Sequence, residues 1–120
     1  MDLESNETSS MIASDKVEGT AVYNEEGERL GTIRRFMVDK LSGQVEYAVL
    51  TYGGLFGMGD KEYPLPWETL NYDTDQGGYV VNLTKEQLEG APSYTGDSDE
   101  PSYDSDYNQR VYGYYGLTYA

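Results

Sequence analysis

The chain has 120 residues, a net charge of −14, and neither cysteine nor histidine. That length fits one domain with room for tails. The missing residues exclude disulfides, thiolate nucleophiles, zinc–thiolate sites and imidazole bases or ligands.

Residues 1–10, MDLESNETSS, carry three acids and no base and read as a disordered leader, too polar to bury anything. A secretory signal would be basic and then apolar. No apolar run approaches the ~20 residues of a membrane helix. The expectation is therefore a cytoplasmic protein without direct membrane insertion, in keeping with the absent cysteine. Residues 11–92 hold 14 acids against 7 bases, and residues 93–120 hold five acids against Arg110. All three parts are acidic, which argues against nucleic acid and anionic membranes as partners.

Structure is predicted to begin near Met11–Val17, where Ile12 and Val17 flank a Ser14-Asp15 turn. Thr20–Tyr23 reads as a short strand closed by the Asn24-Glu25-Glu26-Gly27 turn. Arg29–Lys40 reads as a long strand whose parity breaks. Leu30, Phe36 and Val38 are even and Ile33 is odd, so one face can hold all four only with a bulge or sharp coil near Arg34-Arg35. In Gln44–Tyr52 both faces are apolar, Val45, Tyr47, Val49 and Thr51 against Ala48, Leu50 and Tyr52. This strand should be central and covered on both sides.

After the Gly53–Gly59 loop, Lys61–Leu65 reads as a strand with Tyr63 and Leu65 inward, and Pro64 places it at an edge or bulge. Pro66-Trp67 makes a tight turn, with Trp67 expected as a core plug alongside Phe36. Short strands near Leu70–Asp73 and Tyr79–Leu83 meet across Asp75–Gly78. Thr84-Lys85-Glu86-Gln87 fits a capping box for one short helix stopped by Gly90 and Pro92, with Leu88 facing the core. The fold class is thus all-β, a small, strongly bent antiparallel sheet closed into a barrel. Its domain spans 11–92, with a leader at 1–10 and an acidic, tyrosine-rich tail at 93–120.

No motif points to catalysis. The loop Gly53-Gly54-Leu55-Phe56-Gly57-Met58-Gly59 is followed by Asp60-Lys61-Glu62 rather than Gly-Lys-Ser/Thr, and no helix follows to receive phosphate. It is a glycine-rich connection whose Leu55, Phe56 and Met58 form a candidate contact surface. Asp97, Asp99, Asp104 and Asp106 lack the order of a calcium loop, and Pro101 interrupts them. Glu25-Glu26 lies in a turn, and no general-acid role is expected of the pair. Catalytic, cofactor and metal residues are all expected to be absent.

The run from about Met11 to Pro92 resembles the PRC-barrel family, the β-barrel module of the photosynthetic reaction-centre H subunit and of a ribosome-maturation factor. The resemblance rests on Gly19-Thr20-x-Val22-Tyr23, Gly27-Glu28-x-Leu30-Gly31-x-Ile33, Val38-Asp39-x-x-Ser42-Gly43 and the Gly54–Gly59 loop. It continues through Pro66-Trp67-x-x-Leu70, Thr84-Lys85-Glu86-Gln87-Leu88 and Ala91-Pro92. It implies a six-stranded SH3-like antiparallel barrel and a docking or assembly role without catalytic residues. Pro64 and the tail depart from the family pattern.

The tail holds 7 of the 13 tyrosines. Its end, VYGYYGLTYA, is too apolar for a linker and too short to fold alone. Val111, Tyr112, Tyr114 and Tyr115 are expected to dock, either as an added strand or as a sticky tail, on this barrel or a neighbour's, and a self-associated homodimer is favoured over a monomer. The leading expectation is a non-enzymatic interaction module with unidentified protein partners. Its rivals are a small-ligand or weak carboxylate-based hydrolytic domain, and an RNA-linked assembly adaptor, which the charge opposes.

Overall fold

A computed structural model describes residues 11–53, 60–96 and 99–119. One helical turn, α1 (Ser14–Val17), takes the place of the expected Ser14-Asp15 turn and buries Val17. Six strands follow: β1 (Ala21–Asn24), β2 (Arg29–Val38), β3 (Val45–Gly53), β4 (Asp60–Pro66), β5 (Asn71–Asp73) and β6 (Gly78–Val81). Two later helices complete the order, α2 (Lys85–Glu89) and α3 (Ser105–Tyr114).

The parity break in β2 is resolved as a shift in register between Ile33 and Arg35. The extra residue lets Leu30, Ile33 and Phe36 reach one core, where Leu30 and Ile33 are fully buried and Phe36 partly so. Val38 does not join them. A second shift, between Met37 and Val38, turns it outward and leaves it exposed.

β3 is central and buried on both faces, from Tyr47 through Leu50. Ala48 and Leu50 enter the main core with Tyr63 and Leu65 of β4, the two residues expected inward there. β4 is an edge strand, and its outer side is partly covered. The Glu62 N–H donates to the Tyr94 carbonyl at 2.8 Å, and the Tyr94 N–H donates back to the Glu62 carbonyl at 3.0 Å. Pro64, two residues on, turns its nitrogen to the same outer side, so its missing N–H costs no bond to β3.

The sheet departs from an antiparallel barrel in two respects. Its order is β4-β3-β2-β1-β6-β5, with β4 and β5 as separate edges. It is also mixed, because β6 lies parallel to β1, with Val22 opposite Tyr79. The chain leaves β4 through a 3-10 turn at Trp67–Thr69, and the β5–β6 hairpin returns along the far side of β1. Trp67 packs against the main core from this turn, as Phe36 does, but is only half-buried, its ring 5.5 Å from that of Tyr79 and inclined at 61°.

α2 carries the expected capping box. The Gln87 N–H donates to Thr84 Oγ1 at 3.0 Å and the Thr84 N–H to Gln87 Oε1 at 2.9 Å, with Leu88 wholly buried. The tail corrects the strand expectation, because α3 is helical. Asp104 caps it by accepting the Tyr107 N–H at 2.9 Å. Its end is a Schellman motif, in which the Leu117 N–H donates to the Tyr112 carbonyl and the Gly116 N–H to the Gly113 carbonyl. Gly116 supplies the positive φ of 75° that the motif requires.

A tyrosine-lined helix seat and the cleft beside it

The outer face of β3 is the seat of α3. Residues Asn108, Val111, Tyr112 and Tyr115 recur at helical spacing, and the first three are buried. Val111 and Tyr112 pack with Tyr47, with Met37, Tyr103, Tyr107 and Leu117 around them. The Tyr47 hydroxyl donates to Asn108 Oδ1 at 2.7 Å, and Asn108 Nδ2 donates to the Tyr103 carbonyl at 3.0 Å. Tyr103 holds a φ of 58°, unusual for a residue with a side chain. Its ring lies 5.4 Å from Tyr47 and 5.5 Å from Tyr107.

Tyr47→Phe leaves the Asn108 oxygen without its donor inside this seat. The expected loss is about 1–3 kcal/mol, readable as a lower urea midpoint with an unchanged slope.

Burial raises the phenol pKa of Tyr107 and of Tyr112 to about 12, and pushes Tyr47, Tyr103 and Tyr115 up further. Desolvation is the main cause in each, because an anionic phenolate loses its water in the seat. The hydroxyls of Tyr107 and Tyr115 are buried without a hydrogen-bond partner. A raised folded pKa makes the folded chain hold its protons longer than the unfolded one. Stability is therefore intact below about pH 10 and falls as pH rises toward about 12. An alkaline titration should show phenolate absorbance appearing together with loss of α3 helicity.

Beside the seat lies a polar cluster. Glu62, buried, accepts from Arg34 Nη1 and from Thr51 Oγ1, both at 3.1 Å. Arg35 pairs with Glu100 at 3.2 Å, tying the 99–104 segment to β2. The Glu62 contacts link β4 to β2 and β3, the Arg35–Glu100 pair joins tail to sheet, and both are structural. Among the described residues, no group of three or more acids could hold a metal ion.

The end of α3 also walls a cleft of about 430 Å³ with the 3-10 turn, the β6–α2 connection and α2. Its lining includes Glu68, Thr69, Asn82, Gln87, Tyr114 and Tyr115. The Tyr114 hydroxyl donates to the Gln87 carbonyl at 2.5 Å, fixing the ring as one wall. Glu68 is the one carboxylate among the lining residues, which contain neither lysine nor arginine.

The sequence profile of the PRC-barrel domain matches residues 10–88. The chain belongs to the PRC-barrel family. Among relatives of this PRC-barrel chain is an uncharacterised Deinococcus radiodurans protein, 29% identical over 93 residues, covering 78% of this chain and 33% of that one. A solved Pseudomonas aeruginosa structure, described as a 16S ribosomal RNA processing protein RimM, superposes with a TM-score of 0.45 at 18% identity. It covers 62% of this chain and 45% of its own. The chain thus spans about a third of the Deinococcus protein and under half of the Pseudomonas one. No helix among the described residues is long and apolar enough to cross a membrane.

The interaction residues expected from sequence separate in this PRC-barrel chain. Val111 and Tyr112 face its own sheet, Tyr115 lies half-buried against both cores, and Tyr114 is 44% exposed at the cleft. Leu55, Phe56 and Met58 lie outside the described residues. Sequence reasoning missed Glu68, Asn82 and Gln87 as a group, because only the return of α3 brings them beside Tyr114.

Proposed function

We propose that this PRC-barrel chain is a non-enzymatic docking module that binds protein partners and self-associates. The chemistry of the cleft carries this reading. Acid–base or nucleophilic hydrolysis by carboxylates needs two groups with divided roles, and Glu68 has no second acid beside it in the lining. One carboxylate among amides, hydroxyls and tyrosine rings is equipped for recognition. Self-association is supported by the end of the β2–β3 hairpin, where Leu41 is 97% exposed and Val38 is exposed beside it.

Light scattering across a concentration series tests self-association. The full chain is expected to move from monomer to dimer, and Leu41→Asp to remain a monomer. A wild-type chain that stays monomeric throughout would overturn it. Ester or glycoside turnover that disappears in Glu68→Gln would overturn the non-enzymatic reading.

A further inference from the structure

We propose that the cleft between the 3-10 turn, α2 and the end of α3 is a receptor for a basic side chain, arginine above all, on an extended segment of a partner protein. This rests on the docking reading above and names its chemistry. Glu68 makes no ion pair among the described residues. The basic side chains of the two flanking helices are engaged elsewhere. Lys85 faces Glu28 at 3.8 Å, and Arg110 lies 5.1 Å over the Tyr107 ring. The cleft therefore presents an uncompensated negative charge.

Its other walls suit the same guest. Tyr114 and Tyr115, with ring centroids 5.2 Å apart, give an aromatic surface over which a guanidinium can stack. The side chains of Asn82 and Thr69 add acceptor oxygens at the rim. A planar guanidinium with five donors uses both the carboxylate and such acceptors, where an ammonium serves fewer. The volume, about 430 Å³, is at the lower end for small-molecule sites and holds one long side chain with its flanking backbone. The net charge of −14 draws a basic segment toward the chain and repels an acidic one.

The test uses the full chain and two blocked glycine–serine peptides, one with a central arginine and one with citrulline, its neutral isostere. Both are titrated by NMR at low salt. Amide shifts are expected to concentrate at Thr69, Asn82, Leu83 and Gln87, with the citrulline peptide at least about tenfold weaker. Glu68→Gln, an exposed position, should weaken the arginine peptide by a similar factor and leave the citrulline peptide unchanged. Asn82→Ala, also exposed, is the second variant should the first lose its fold. Equal binding of the two peptides would overturn the assignment. So would arginine binding insensitive to both variants, or shifts spread over the Glu25–Glu28 turn. The outcome separates from self-association: Leu41→Asp should abolish the dimer and leave peptide binding intact.

Discussion

A chain ending at Gly96 should be markedly less stable than the full chain. The cut keeps the Tyr94 bridge to Glu62 and removes α3, so Val111 and Tyr112 no longer cover Tyr47. Losing two buried side chains of this size costs about 3–6 kcal/mol. In a domain of this length that lowers the melting temperature by roughly 12 °C or more. A small domain holds only about 5–15 kcal/mol in all, so the truncated chain is expected to be near the edge of folding at body temperature. Calorimetry of the two chains decides the matter. Equal melting temperatures would mean that the helix is a passive appendage.

A second large effect should follow from one methyl group. A Cβ on Gly31 would stand well inside contact distance of the Thr51 carbonyl oxygen, and also against a Leu50 methyl. The oxygen belongs to β3 backbone, which cannot retreat without breaking the β2–β3 ladder. Gly31→Ala is expected to cost about 3 kcal/mol, at the upper end for overpacking. Gly113 supplies the control, since a Cβ there meets nothing within 4 Å. In a helix, alanine at that position should stabilise by about 0.5–1 kcal/mol. Denaturant midpoints moving in opposite directions confirm the pair, and two shifts of the same sign would refute it.

Much of the sheet was legible in the sequence because period-two patterning and turn chemistry act locally. The bulge near Arg34, the double burial of β3, the edge placement of Pro64 and the capping box at Thr84 all follow from neighbours within a few residues. The parallel contact of β6 with β1 did not, because the turn at Trp67 and the shape of the whole sheet decide it. The two glycines and four tyrosines of residues 111–119 disguised α3. Its signal was present, with Asp104 as cap and apolar or amide residues at 108, 111, 112 and 115. Aromatic content favoured a strand, and packing on Tyr47 overrode that preference. The double burial of β3 had already implied a covering element, and the tail supplies it. The cleft was illegible because its walls come from segments that only tertiary packing unites.

The parallel seam between β1 and β6 also governs how quickly the chain can fold. Val22 must wait for Tyr79, so this join is the sheet's longest-range strand pairing. Contacts of high sequence separation slow folding, because a long loop must close before any pairing rewards it. The β2–β3–β4 meander is local and is expected to form first. On the ribosome, at about 5–20 residues per second, several seconds separate the emergence of β1 from that of its partner. During that interval one side of β1 is an unsatisfied strand edge, the kind of surface on which nascent chains pair wrongly.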